Sequence, residues 1–293
     1  MRCKLTIADR ACPLLPAGDA ALVGVFDSGV GGLSVVRELR ALGPGLNVIY
    51  VADQAHAPYG ERPLDEIGEI AAAIAQFLMD RGCRVIVLAC NSASAAALYA
   101  LRERFHEARF VGMEPAVKPA CERTRRRRIG VIATRATLRG EPYLGVVRRY
   151  AKDIEVFPLA CPEFVEMVEA GEAGTPAAAA RVKTRLAPLV AAGVDELVLG
   201  CTHYSFLREA IAAAMGAGVE VIDPSAAVAR QAVRVLRSVG ATVRAEPQKR
   251  EGSAEAGALC VCTTGAPERL APVVYGLFGP AVRIAQALWS AGT

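Results

Sequence analysis

The feature that most restricts how this chain folds is a repeat. Residues 82–94, Gly-Cys-Arg-Val-Ile-Val-Leu-Ala-Cys-Asn-Ser-Ala-Ser, align without gaps with residues 193–205, Gly-Val-Asp-Glu-Leu-Val-Leu-Gly-Cys-Thr-His-Tyr-Ser. A fainter echo pairs Gly24-Val25-Phe26-Asp27-Ser28 with Gly130-Val131-Ile132-Ala133-Thr134. Each copy is a short Val/Ile/Leu run that stops at small and polar residues before a helical stretch. A duplicated α/β half is the economical explanation.

The rest of the chain keeps that alternation. Strands are predicted at Leu22–Phe26, Asn47–Ala52, Arg84–Ala89, Arg109–Gly112, Ile129–Ala133, Ile154–Leu159, Glu196–Gly200 and Val219–Ile222. Helices are predicted near Leu33–Leu42, Leu64–Arg81, Ala93–Phe105, Pro142–Tyr150, Pro162–Ala170, Pro176–Ala192, Ser205–Met215 and Ala226–Val239. Short strands spaced by such helices read as βαβ units on a parallel sheet. The unbroken apolar run Val85-Ile86-Val87-Leu88 fits a strand buried on both faces. The expected fold is therefore α/β: two similar parallel-sheet domains related by pseudo-twofold symmetry, with the active site in the cleft between them. Arg123–Arg128 reads as a solvated link between the halves, Gln248–Ala256 as a polar surface loop, and residues 1–20 as a flexible extension.

Composition narrows the function. Of 293 residues, 53% are hydrophobic and 22% charged, enough for a buried core and contrary to disorder. Lys and Arg number 34 against 30 Asp and Glu, a balance too even for a dedicated nucleic-acid binder. Arg123–Arg128 has no interleaved aromatic residue, so no nucleic-acid partner is expected there. The longest central stretch without a charge, Val85–Leu101, has 17 residues and carries Asn91, Ser92 and Ser94. That is at the short limit for a span, so no membrane association is expected. The start Met1-Arg2-Cys3-Lys4 leads into no apolar stretch of signal-peptide length. With nine widely spaced cysteines, this predicts reduced thiols in a cytoplasmic protein. Only Cys260 and Cys262 lie close together, and the three histidines are far apart, so no metal site is expected.

Both repeat copies place a cysteine at the carboxyl end of a strand, where open α/β sheets bind ligands. A helix N-terminus there offers free N–H groups and partial positive charge, which favours thiolate over thiol. Asn91-Ser92 and Thr202-His203 can cap the helices or hold a carboxylate ligand. A lone buried cysteine is more often packing than chemistry; two at equivalent places point to function. Two thiols on opposite sides of one carbon suit inversion of a stereocentre, one removing a proton and the other returning one. Asp27 ends the first strand before Ser28-Gly29-Val30-Gly31-Gly32, where small residues let the backbone approach a ligand. This turn lacks the Lys-Ser/Thr and the glycine spacing of a phosphate loop. Asp27 itself can meet an ammonium or orient a thiol. Asp53 ends the second strand, and Pro58-Tyr59-Gly60 makes a turn with exposed amides.

Taken in order, Phe26–Ser34, Asp53 with Pro58-Tyr-Gly60, Ala89–Ser94, Gly112–Pro115, Gly130–Thr134, Cys161–Val165, Leu199–Tyr204 and Thr263–Gly265 resemble the glutamate racemase branch of the aspartate/glutamate racemase superfamily. The resemblance runs from about residue 22 to residue 280. It implies a cofactor-independent racemase that makes D-glutamate from L-glutamate for peptidoglycan. Its catalytic cysteines fall on Cys90 and Cys201, with Asp27 assisting Cys90, His203 assisting Cys201, and Glu169 near the second site. Substrate-binding positions fall on Asp27, Ser28, Tyr59, Gly60, Asn91, Ser92, Thr202 and His203, with Asp53, Pro58 and Thr134 lining the pocket. The resemblance further implies that the last helices return to the first half. The domains expected are then 21–118 plus 225–293, and 119–224. Ser92 stands where Thr is usual, Arg139-Gly140 replaces a Ser region, Ala266 stands where an acid often follows, and Tyr204-Ser205-Phe206 replaces Tyr-Pro-Leu; none touches a thiol. The sequence leaves open a homodimer and activation by a cell-wall precursor, a property of one branch. The alternatives are an aspartate or other racemase of the same superfamily, or a non-catalytic binding protein for an anionic metabolite.

Overall fold

The computed structural model of the chain describes residues 3–7, 22–243, 248–250, 253–255 and 257–291. From the amino end come β1 (Cys3–Ile7), β2 (Leu22–Asp27), α1 (Leu33–Leu42), β3 (Asn47–Ala52), α2 (Leu64–Met79), β4 (Val85–Leu88), α3 (Asn91–Arg104), β5 (Arg109–Gly112) and α4 (Val117–Arg123). Next are β6 (Arg128–Ala133), α5 (Arg135–Arg139), α6 (Glu141–Tyr150), β7 (Glu155–Ala160), α7 (Pro162–Glu169), α8 (Pro176–Ala191), β8 (Glu196–Gly200), α9 (Arg208–Met215) and β9 (Glu220–Ile222). The chain ends with α10 (Ser225–Ser238), β10 (Gln248–Arg250), β11 (Ser253–Glu255), β12 (Leu259–Thr263), α11 (Pro267–Phe278) and β13 (Arg283–Ala291).

Two parallel sheets result. The larger has the order β1-β13-β12-β3-β2-β4-β5, with only β1 antiparallel to its neighbour. The smaller has the order β7-β6-β8-β9 and is wholly parallel. Thus β3-β2-β4-β5 and β7-β6-β8-β9 share one connectivity, as the repeat requires. Gly82 and Gly193, which open the two repeat copies, both take the left-handed conformation, at φ 86° and 68°. Each reverses the chain after a helix so that the next strand can enter its sheet, a conformation with no steric cost only for glycine.

All four residues of β4 are buried, because helices cover both faces of the sheet. α1 packs against α10 on one side, while α2 packs against α3 on the other. Phe26, Ile86 and Leu88 belong to the second of these cores, and Val23, Val25 and Val87 to the first. Because β2 runs parallel to β4 in one sheet and β6 parallel to β8 in the other, their carboxyl ends bring Asp27 and Cys90, and Thr134 and Cys201, to the sheet edges where loops are free to diverge.

Several expectations need correction. Residues 3–7 of the supposed flexible extension form β1, paired with β13 from Cys3 opposite Ala291 to Ile7 opposite Ala287; residues 8–20 lie outside the described residues. The returning segment brings strands as well as helices: β12 joins β3 and β13 joins β12. The sequence pattern hides β13, which mixes Arg, Gln, Trp and Ser. The polar tract at 248–256 contains the hairpin β10-β11. The short helices α4 and α5 lack the length that makes periodicity visible. Cys83, Cys90, Cys121, Cys161, Cys201 and Cys262 carry free thiols, whereas Cys260 is disulfide-bonded, contrary to the expectation of reduced thiols throughout. No helix among the described residues is long and apolar enough to cross a membrane.

Candidate active site

Cys90 sits at the amino end of α3, directly after β4. Cys201 follows β8 and opens a 3-10 turn, Thr202–Leu207, started by Tyr204 N–H donating to the Cys201 carbonyl at 3.1 Å. Both thiols line one small cavity. Its other walls are Ser28, Pro58, Tyr59, Gly60, Asn91 and Ser92 from the larger sheet, and Thr134, Val165 and His203 from the smaller. Ten of the residues singled out from sequence therefore meet in one place.

Asp27, Asp53, Glu169 and Thr202 do not line the cavity; each stands behind a wall and holds it. Asp27 is fully buried and accepts hydrogen bonds from Gly29 N at 2.9 Å and Thr202 Oγ1 at 2.8 Å. The second bond ties the two sheets together, as does Ser92 Oγ to Thr134 Oγ1 at 2.9 Å. Tyr50 clamps the turn after Asp27 by donating its hydroxyl to the Gly29 carbonyl at 2.5 Å. The glycines of that turn serve a close approach, but to protein rather than ligand. A Cβ on Gly31 would lie 2.4 Å from Thr202 Oγ1 and 2.5 Å from His203 Nδ1.

On the Cys201 side, His203 Nδ1 lies 3.8 Å from Cys201 Sγ, and His203 Nε2 lies 2.7 Å from Glu169 Oε1. Glu169 also accepts Val30 N at 2.8 Å and Gln54 Nε2 at 2.9 Å, both from the other half of the chain. Burial opposes charge on His203, but its bonds to Cys201 and Glu169 and their charges outweigh burial and hold the imidazole well above its usual range. Burial likewise opposes ionisation of Glu169, yet His203, Val30 and Gln54 outweigh it and keep the carboxylate below its usual value. Both shifts favour an imidazolium facing a carboxylate, a state in which both ring nitrogens donate.

Cys90 has a different environment. Burial pushes its thiol far up, the charges of Asp27 and Cys201 add to this, and the N–H groups of Ala93 and Ser92 only partly oppose it. The helix terminus favours the thiolate, as the sequence reading has it, but at Cys90 burial outweighs it. Desolvation of a thiol only 6% exposed outweighs a few N–H dipoles. Burial also raises Asp27 above the ordinary carboxylate value, despite His203, Gly29 and Thr202. The environment of Cys90 thus favours the thiol, while Cys201 lies beside an imidazole whose charged form is favoured.

Two further details bear on a ligand. Asn91 Oδ1 is buried in the cavity wall with no hydrogen-bond partner, an acceptor ready for a cation or N–H donor. Tyr59 gives its hydroxyl to Asp53 Oδ2 at 2.7 Å, in a turn whose Ala57–Pro58 bond is cis. Among the described residues no cluster of His, Cys, Asp or Glu is arranged to hold a metal. Residues missed from sequence are Val165, which lies within the quoted Cys161–Val165 motif, and Gln54, Thr264 and Trp289, which support the walls from behind. Adjacency to Asp53 marked Gln54 and the Thr263–Gly265 motif marked Thr264; nothing local marked Trp289.

Residues 33–232 match the family described as Asp/Glu/Hydantoin racemase, which is most of the chain. The chain belongs to the Asp/Glu/Hydantoin racemase family. As a member of the Asp/Glu/Hydantoin racemase family it is an amino-acid racemase, an isomerase. It is 44% identical over 266 residues to the glutamate racemase of Roseiflexus sp. (strain RS-1), covering 91% of this chain and 95% of the relative. It is 49% identical over 220 residues to that of Pseudomonas aeruginosa (strain UCBPP-PA14), covering 75% and 83%. Its fold matches the crystal structure of Escherichia coli glutamate racemase in complex with L-glutamate and the activator UDP-MurNAc-ala. There the TM-score is 0.78 at 32% identity, with 92% of this chain and 99% of that one covered.

Proposed function

We propose that the chain interconverts L- and D-glutamate by moving a proton at Cα between Cys90 and Cys201, and so supplies D-glutamate for peptidoglycan. The observation that carries this is that both thiols, from topologically equivalent strand ends, line a single small cavity. In one direction the Cys201 sulfur, held against the His203 imidazolium, takes the Cα proton. The electron pair left on Cα delocalises into the substrate carboxylate. Cys90, resting as a thiol, returns a proton to the opposite face and becomes the thiolate. The reverse direction exchanges the two roles, with Asp27 disfavouring a lasting charge on Cys90 and driving its reprotonation. The hydroxyls of Ser28, Ser92 and Thr134 are the donors for the charge growing on the carboxylate, and Asn91 Oδ1 accepts from the ammonium.

Cys90→Ser and Cys201→Ser test the scheme directly. In deuterium oxide each variant is expected to lose racemisation by orders of magnitude. Full racemisation by either single variant refutes a two-thiol mechanism, and faster turnover of aspartate than of glutamate refutes the substrate.

Membership of the two sheets supports a division into 21–118 plus 225–293, with β1 added to that first domain, and 119–224. α4 packs on α6, β6 and β8, which moves the natural boundary to its start at Val117. A second cleft lies where the chain passes between the sheets at Gly112–Ala116 and again at Pro224–Val228. Lys118, Arg149, Tyr99 and Tyr150 line it. We assign it to a phosphate-bearing cell-wall precursor, cations for the phosphates and tyrosines for the base. We place the reaction in the cytoplasm, where such precursors are made.

A further inference from the structure

Asp53 holds more hydrogen bonds than any wall of the cavity demands. Its carboxylate accepts Tyr59 OH at 2.7 Å, His56 Nδ1 at 2.9 Å, Thr264 Oγ1 at 2.7 Å and Trp289 Nε1 at 2.9 Å. Four donors occupy the two oxygens of a fully buried side chain, leaving little capacity for substrate. The His56 ring also meets the Trp289 indole edge to face, with centroids 5.2 Å apart. Tyr59 lines the cavity on its other side, next to Pro58 and Gly60.

Trp289 reaches this cluster because β13 outruns β12. The parallel register of those strands ends with Thr263 opposite Gln286. Beyond it Ala287–Ala291 pair with β1, where Leu5 lies opposite Trp289. The overhanging end of β13, backed by β1, thus brings the indole above residues 53–59. Gln54 carries the same dependence to the other wall: it accepts from Thr263 Oγ1 at 2.9 Å and donates to Glu169 at 2.9 Å.

We propose that Trp289 and Thr264 are positioning residues for the racemase reaction, fixing Asp53 so that Asp53 fixes the Tyr59–Gly60 wall against the substrate. Neither residue touches the substrate. Their effect falls on how well the wall is formed before glutamate arrives, which moves KM rather than the proton transfers. Trp289 is the one tryptophan in the chain, so its emission reports on this cluster alone. The proposal rests on glutamate being the substrate.

The experiment measures wild-type glutamate turnover first, then Trp289→Phe, Thr264→Val and Tyr59→Phe, each checked for folding by circular dichroism. Loss of one charge-assisted donor of four is expected to raise KM about 3- to 10-fold in Trp289→Phe and in Thr264→Val, with kcat within about two-fold. Glutamate titrated into wild type is expected to change tryptophan emission with a midpoint at KM. In Tyr59→Phe the emission of the free protein stays and that response disappears. Thr264→Val keeps the indole, so it tests the idea even if Trp289→Phe fails to fold. Unchanged KM in Thr264→Val, or wild-type emission blind to saturating glutamate while turnover proceeds, overturns the proposal alone. Absence of glutamate turnover in wild type overturns it together with the reading it rests on.

Discussion

Replacing Glu169 by Gln removes one negative charge behind Cys201 and leaves the side chain's shape intact. The wild-type carboxylate receives three donors, from His203, Val30 and Gln54, at 2.7, 2.8 and 2.9 Å. An amide offers one oxygen, and its NH₂ faces a donor, so at least one of the three loses its partner. A hydrogen bond to a charged group contributes about 1.5–3 kcal/mol. Because the Glu169 side chain is 21% exposed, the lower part of that range applies. A loss of about 1.5–2 kcal/mol lowers kcat roughly 10- to 30-fold. The pH dependence has a definite sign. His203 is held above its usual range in part by Glu169, so the wild-type imidazolium persists as pH rises past the ordinary imidazole value and is lost only at the higher folded value. Glu169 is held below its usual value, so its half of the pair is lost only as pH falls through that lowered value. Without the carboxylate, the alkaline fall in activity moves to lower pH. Circular dichroism of glutamate, started from each enantiomer, follows the reaction. Because the enantiomers have equal free energies, kcat/KM must stay equal in the two directions, which provides an internal check. A folded Glu169→Gln protein with kcat within two-fold of wild type and an unmoved alkaline limb refutes the role assigned to this ion pair.

Gly60→Ala places a Cβ 2.6 Å from Thr134 Cβ and 2.8 Å from Thr134 Cγ2. Ser92 and Thr137 hold Thr134 in place. An overpacking cost of about 1–3 kcal/mol is expected, seen as a lower Tm, with a higher KM; an unchanged Tm shows that the two walls are further apart than described. Glu196 is buried where the other repeat copy has Val85, has no partner for Oε2, and is pushed up to about 7 by burial and by Glu220 and Asp195. The folded state thus binds the extra proton between its ordinary value of 4.5 and about 7, and stability is lost as pH rises through that window. Glu196→Gln is expected to be about 1–2 kcal/mol more stable than wild type above the window and no more stable below it. Urea unfolding at the two pH values decides; an equal gap at both excludes ionisation as the cause.

Seven of the ten cavity residues legible in the sequence lie within four residues of a strand end, and the other three, Pro58, Tyr59 and Gly60, form a turn marked by its own composition. A Val/Ile run such as Val85–Leu88 predicts its own burial, and the turn after it delivers Cys90, Asn91 and Ser92 to the sheet edge whatever the distant chain does. The repeat then placed Cys201, Thr202 and His203 at the matching edge. Strand β13 was not legible, since half its residues face solvent or cover a loop rather than a core.

Amino-acid order alone settled the α/β class, the duplicated connectivity and the pair of thiols, all set by local periodicity and by contacts between neighbouring elements. Tertiary structure decided that Asp27, Asp53 and Glu169 brace the cavity from behind rather than line it. Asp53 meets Trp289 across 236 positions and Glu169 meets Val30 across 139. It also decided that burial and the Asp27 charge push the Cys90 thiol up. Desolvation and Coulomb interaction depend on what surrounds a group in space, and for these buried residues most of the surroundings come from distant parts of the chain.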